Sequence, residues 1–120
     1  MNVCTFIDAE VPPDWVTGLE TDSLPEQAAI TVETENSRYD FTILSGRTGD
    51  VLVRGGRLFP EETAARLMGS SLGGSVLKLR SILIGFRMEL YACERSIITS
   101  RVRSIRVVSG LSEQPAPLFF

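Results

Sequence analysis

Ile82-Leu83-Ile84-Gly85-Phe86-Arg87-Met88-Glu89-Leu90 sets Ile82, Ile84, Phe86, Met88 and Leu90 on one face and Gly85, Arg87 and Glu89 on the other. That period of two is the pattern of a half-buried β-strand. It recurs over 38–44, where Tyr39, Phe41 and Ile43 share a side, and in part over 30–33. The core is therefore expected to be made of sheet faces. The expected fold class is all-β: a small antiparallel barrel or coiled sandwich of about six or seven strands with one short helix.

Working outward, strands are expected near 28–34 and 38–45 with a turn at Asn36-Ser37, then a glycine-containing turn over 45–50 and a strand over 51–54. Gly55-Gly56 has the composition of a two-residue hairpin turn. In the next stretch Pro60 stands where a first helical residue would, Glu61 and Glu62 in a first turn and Gly69 just past the end, which predicts a short helix near 60–68. A helix of that length is marginal, and an extended strand over 63–68 is the alternative. After a small-residue loop, Leu77 and Leu79 share a face, but Ile82 onward has the opposite parity, so a bulge or corner is expected at Arg80-Ser81. A second break falls across Arg103-Ser104, between Val102 and Ile105. Two such breaks suit a closed or strongly coiled sheet. The expected core is Ile30, Val32, Tyr39, Phe41, Ile43, Val51, Val53, Leu77, Leu79, Ile82, Ile84, Phe86, Met88, Leu90, Ile98, Val102 and Ile105.

At 120 residues the chain has the length of one domain and can bury a core without staples. Three parts are expected: an acidic arm over 1–27 containing Pro12, Pro13 and Pro25; a β-domain over 28–110; and an apolar tail over 111–120 interrupted by Pro115 and Pro117. Cys4 and Cys93 lack metal or redox spacing and are read as reduced thiols. With no signal-like start and no apolar run of membrane-spanning length, a soluble cytoplasmic protein is expected. The net charge of −3 conceals an asymmetry: residues 1–40 hold nine acids against Arg38 alone, or −8, whereas residues 41–120 hold six acids against eleven bases, or +5. An acidic segment lying across a basic sheet follows from Coulomb attraction, and an anion-binding face shielded by that segment is the functional alternative.

Histidine is absent, which removes the usual general base and the commonest metal ligand. No catalytic residues, metal ligands or cofactors are expected. The pairs Asp8/Glu10 and Glu33/Glu35 could share strand faces and hold a cation or do acid-base work, but a solvated acidic face accounts for them. The stretch 69–75 could cradle a phosphate with its amides, although it lacks the lysine ending and the helix of a P-loop. Ser75, Lys78 and Arg80 beside it form the expected small-anion site. The strongest surface feature is the run 99–107, where Arg101, Arg103 and Arg106 form a basic ridge once a bulge restores their parity, with hydroxyls between them. An acid-paired strand face, nucleic-acid contact, and a protein or small-anion interface are the three readings of that ridge. The acidic sequence pI and the lack of interleaved aromatics weigh against nucleic acid.

The stretches 55–60, 69–75, 88–90 and 99–105 resemble small bacterial proteins of unknown function that share a compact β-rich body, over residues 30–108. The resemblance implies a bacterial, all-β, non-secreted protein and transfers no active site. The expected function is a non-enzymatic, oligomeric interaction or small-anion-binding module acting through its arginine-rich sheet face. A nucleic-acid-binding small β-barrel and a carboxylate-dependent hydrolase are the rival readings. Trp15, Leu118, Phe119 and Phe120 are the expected interface, because large apolar side chains on an arm and a tail call for burial. The expected partner is a second copy, a two-fold dimer in the simplest case, together with an anionic ligand or protein and no membrane.

Overall fold

In the computed structural model, which describes residues 15–72 and 76–109, the described residues form ten strands and one short 3₁₀ turn, with no α-helix among them. Strands β3 (Ala29–Thr34), β4 (Arg38–Ser45), β5 (Asp50–Gly55) and β6 (Phe59–Ser71) make an antiparallel meander. Strand β9 (Arg87–Ala92) pairs with β6 on one side and with β10 (Arg95–Ser109) on the other. Because β10 returns to pair with β3, six strands close into a ring. Closure removes the long open edges of a flat sheet and leaves only the start of β10, beyond the end of β3, paired on one side among the ring strands.

The remaining strands decorate that ring. β1 (Trp15–Val16) pairs with β10 at Ile105 and Arg106, and β7 (Val76–Leu79) pairs with the end of β6. β2 (Gly18–Glu20) and β8 (Ser81–Leu83) form a separate two-stranded sheet, and β8 packs against β6, β9 and β10. A 3₁₀ turn over Thr21–Ser23 links β2 to the body. It is anchored by Thr21, which is fully buried: its amide donates to the Arg80 carbonyl at 2.9 Å and its hydroxyl to the Gly46 carbonyl at 2.7 Å.

Inside the ring, alternate residues converge. Ile30, Val32, Phe41, Ile43, Val51, Val53, Phe59, Leu67, Ile82, Met88, Leu90, Val102 and Ile105 are all essentially inaccessible to solvent. The Tyr39 ring meets Phe59 edge-on at 6.4 Å and tilts against Phe41 at 6.3 Å, contacts favoured by the aromatic quadrupole.

Residues 60–68 are strand, not helix. In β6 Ala65, Leu67 and Gly69 are buried while Ala64, Arg66 and Met68 are exposed, and Arg66 sits between Asp50 of β5 and Tyr91 of β9. Two sets of ladder bonds outweigh a two-turn helix whose nucleation cost is barely recovered. Pro60 is tolerated because the register jumps from Gly55↔Phe59 to Val53↔Thr63, so its missing amide falls in the irregular part of the ladder.

The run 82–90 is two strands rather than one. It breaks at Ile84-Gly85-Phe86, where Gly85 has φ of 89°. The Gly85 amide donates to the Val102 carbonyl at 2.8 Å, and the Val102 amide donates to the Phe86 carbonyl at 2.8 Å. The turn lets Ile82 belong to the small sheet while Met88 and Leu90 serve the ring; Ile84 packs against the core from outside it, and Phe86 is only part-buried.

Leu79 and Ile98, expected in the core, are 61% and 45% exposed. Leu79 lies on β7, which among the described residues pairs with β6 alone and stands outside the ring. Ile98 lies opposite Glu89, while its neighbour Ile97 lies opposite the buried Leu90; a register shift between Glu89 and Arg87 then resets β10, so that Thr99 and Val102 both point inward. The side chain of Leu77 lies outside the described residues.

The expected corner at Arg80-Ser81 is present, with Arg80 at φ of 49° between β7 and β8, and so is the bulge at Arg103, between Val102↔Thr34 and Ser104↔Glu33. The 55–56 hairpin is also present, with Gly55 paired to Phe59 across a three-residue loop rather than a two-residue one.

Candidate functional site

The bulge at Arg103 matters because it keeps the arginine ridge on one side of β10. Arg101, Arg103 and Arg106 are all exposed, while Val102, Ile105 and Val107 are buried. The neighbouring strands supply the surroundings. Ser104 faces Glu33 of β3, which in turn faces Arg38 of β4; Arg106 faces Thr31, then Asp40. The Ser104 hydroxyl donates to Glu33 Oε1 at 3.4 Å, the Thr31 hydroxyl to Asp40 Oδ1 at 2.9 Å, and Arg38 Nε lies 3.6 Å from Asp40 Oδ1. Glu35 Oε1 accepts from the backbone amide of Arg101 at 3.3 Å. The acids near the ridge are thus engaged by hydroxyls, a backbone amide and Arg38. Among the described residues no carboxylate lies within ion-pair distance of the Arg101 or Arg103 guanidinium.

Lys78 and Arg80 have a different setting. The pairing of β2 with β8 carries Glu20 to Lys78, where Nζ and Oε2 are 2.8 Å apart. The buried Thr21 then turns the chain so that Asp22 Oδ1 lies 3.4 Å from Arg80 Nε. The hydrogen bond from Lys78, followed by its charge, holds the Glu20 carboxyl below its ordinary range. Both cations of the expected small-anion site are therefore neutralised by acids from the N-terminal segment. All four side chains are at least a third exposed, so each pair adds little to stability and acts chiefly as charge complementarity. The small-residue stretch beside them also has internal partners: Ser70 and Ser71 are buried, and the Ser70 hydroxyl donates to the Ser81 carbonyl at 2.9 Å. Ser75 lies outside the described residues.

Of the expected interface residues, Trp15 pairs through its backbone with Arg106. Its side chain, together with Leu118, Phe119 and Phe120, lies outside the described residues. Cys93 is a free, exposed thiol in the β9–β10 turn, and Cys4 is outside the described residues. Glu33 and Glu35 do not assemble with other ligands, and the described residues contain no cluster of three or more acidic or cysteine side chains able to hold a metal ion. Nor do they include a helix long and apolar enough to cross a membrane.

Two open clefts escaped the sequence reading. One, of about 500 Å³, lies between β6 and the β9–β10 turn and is lined by Arg66, Met68, Tyr91 and Cys93. In it Arg66 Nε meets Asp50 Oδ1 at 3.2 Å, and Asp50 also accepts from the Thr48 hydroxyl at 2.6 Å; these bonds, Thr48 first, lower its pKa. The other, of about 520 Å³, is bounded by the β3–β4 turn, the β5–β6 loop and β10, with Tyr39, Arg57, Leu58 and Ile98 in its lining. The signal that could have located the second was the parity of β10: an exposed Ile98 implies a bulge between it and Val102. Comparison with protein-family models, with curated proteins and with solved structures finds no match to the chain.

Proposed function

We propose that this chain is a non-enzymatic binding module that engages an anionic partner through the outer face of β10. The observation that supports this reading is a contrast between two basic groups. Lys78 and Arg80 are matched by Glu20 and Asp22, whereas Arg101 and Arg103 stand exposed on one strand with no acid matched to either among the described residues. Guanidinium groups left unpaired on a rigid strand suit bidentate contact with carboxylate or phosphate oxygens. Assembly into a homo-oligomer, two-fold in the simplest case, is part of the same proposal: Leu118-Phe119-Phe120 carries three large apolar side chains whose burial would contribute about 1.5–3 kcal/mol each.

Retention on immobilised heparin as a function of salt tests the anionic reading. The double variant Arg101→Glu, Arg103→Glu is expected to lose about tenfold or more in affinity at low salt and to show a shallower salt slope. Lys78→Gln should change little, since that charge is already matched. Equal retention of the double variant and the parent protein would refute the assignment of the face. For assembly, light scattering on a chain lacking residues 115–120 should show a smaller particle than the intact protein, and an intact protein that is monomeric at micromolar concentration would refute it.

A further inference from the structure

Strand β10 outruns its neighbour β3. Its ladder with β3 begins at Val102, so from Arg95 to Ile98 it is paired on one side only, with β9, and its other edge carries no strand among the described residues. Which backbone groups face that edge follows from the hairpin register. The two-residue turn Cys93-Glu94 makes Ala92 and Arg95 the hydrogen-bonded pair, and alternation makes Leu90 and Ile97 the next; the amides and carbonyls of Ser96 and Ile98 are then directed away from β9. This edge borders the cleft where Leu58 and Ile98 face solvent, 53% and 45% exposed, beside Arg57.

Sheet edges are commonly protected by proline or charge. The start of β6 follows that rule with Pro60, Glu61 and Glu62, whereas Ser96-Ile97-Ile98 carries neither. Charge instead brackets the open stretch. Arg95 and Arg101 flank it and Arg57 lies across the cleft, all three without a carboxylate in ion-pair distance among the described residues. The pattern also discriminates between occupants. Two copies joined antiparallel edge to edge would bring the exposed Arg57, Arg95 and Arg101 of both together, and like charges brought close across a ladder are destabilising.

We propose that the open edge of β10 accepts an extended acidic polypeptide as an added strand. Ser96 and Ile98 would supply main-chain hydrogen bonds, Leu58 and Ile98 an apolar contact for alternate side chains, and Arg57, Arg95 and Arg101 the partners for its carboxylates. This inference rests on the anionic-partner reading and names the class of partner.

The test is amide exchange on the full chain with a synthetic peptide that alternates glutamate with valine. Exchange at Ser96 and Ile98 is expected to slow by about tenfold or more at saturating peptide. A lysine–valine peptide should give no protection, and neither should the glutamate–valine peptide N-methylated at alternate amides, which keeps its charge but cannot complete the ladder. Ile98→Pro, which removes an amide not used by β9, should abolish binding of the unmodified peptide. Equal binding of the methylated peptide, or binding without protection of the two amides, overturns strand addition. The anionic reading then survives only if Arg101→Glu still lowers retention on heparin, so the two failures are separable. Slow exchange at both amides before any peptide is added would mean the edge is already covered, by a second copy or another stretch of this chain, and would also overturn the proposal.

Discussion

Alanine at Phe86 and alanine at Leu90 should have very different costs, although both residues lie on the same apolar face of the period-two run. A single continuous strand would bury both alike, and the larger ring would then be the more expensive to lose, at about 3–5 kcal/mol. The chain instead turns at Ile84-Gly85-Phe86, leaving Phe86 part-buried, whereas Leu90 is 1% exposed between β6 and β10. Leu90→Ala removes a fully buried side chain and opens a cavity in a ring closed by hydrogen bonds on every side, so a loss of about 3–4 kcal/mol is expected, within the usual range of 2–5. Phe86→Ala removes a side chain that is only part-buried, so a loss smaller than the full aromatic cost, about 1.5–2.5 kcal/mol, is expected. For a urea m-value of about 2 kcal/mol/M, the midpoints should fall by about 1.5–2 M and about 1 M respectively. Equilibrium urea unfolding followed by far-ultraviolet circular dichroism measures both, with unchanged m-values certifying that the comparison is of stability. A Phe86→Ala loss equal to or greater than that of Leu90→Ala would refute the broken strand.

Three further outcomes are expected. Thr21→Val keeps shape but deletes the hydroxyl bonded to the buried Gly46 carbonyl, and should cost about 1–3 kcal/mol in thermal or urea unfolding; a change within about 0.5 kcal/mol, the scale of a surface substitution, would show that the 3₁₀ turn is not anchored there. Gly55→Ala should cost at least about 1–3 kcal/mol, because Gly55 has φ of 137° and an added Cβ would collide with the Arg38 carbonyl oxygen; an unfolding midpoint matching the parent would contradict that backbone. Glu20 and Asp50 have carboxyl pKa values lowered in the folded state, so the stability they contribute is present above their ordinary unfolded values and is lost as pH falls through the depressed folded ones. Glu20→Gln with Asp50→Asn should therefore flatten the acid limb of a stability–pH curve below about pH 4.5, and an unchanged limb would count against both partnerships.

Much of the ring was written locally. Alternation at 30–33, 38–44 and 51–53 specifies inward faces that a one-residue slip would turn to solvent, which is why Ile30, Tyr39, Phe41, Ile43, Val51 and Val53 are buried as the pattern demands. Parity breaks are equally local: an extra residue leaves its mark in the order of apolar and polar positions, and the corner at Arg80 and the bulge at Arg103 were legible for that reason. The chain's arginine ridge was legible with them.

Tertiary structure decided whatever depended on two distant segments meeting. Residues 60–68 carry helix-start and helix-stop residues, and only the simultaneous presence of β5 and β9 on either side makes β6 the lower-energy state. The alternation from Ile84 to Leu90 did not disclose the break, because the turn at Gly85 is held by hydrogen bonds to Val102, far along the chain. Nor could composition say which bases keep their charge available. Lys78 and Arg80 meet Glu20 and Asp22 because a buried threonine and a two-stranded sheet deliver those acids, while Arg101 and Arg103 lie where no such delivery occurs among the described residues. Alternation is a property of neighbours in sequence, so strand faces and the hairpin turns near 36–37 and 55–56 could be read from the chain; the pairings that close the ring, β10 with β3 and β9 with β6, and the ion pairs of Lys78 and Arg80 join segments far apart in sequence and could not.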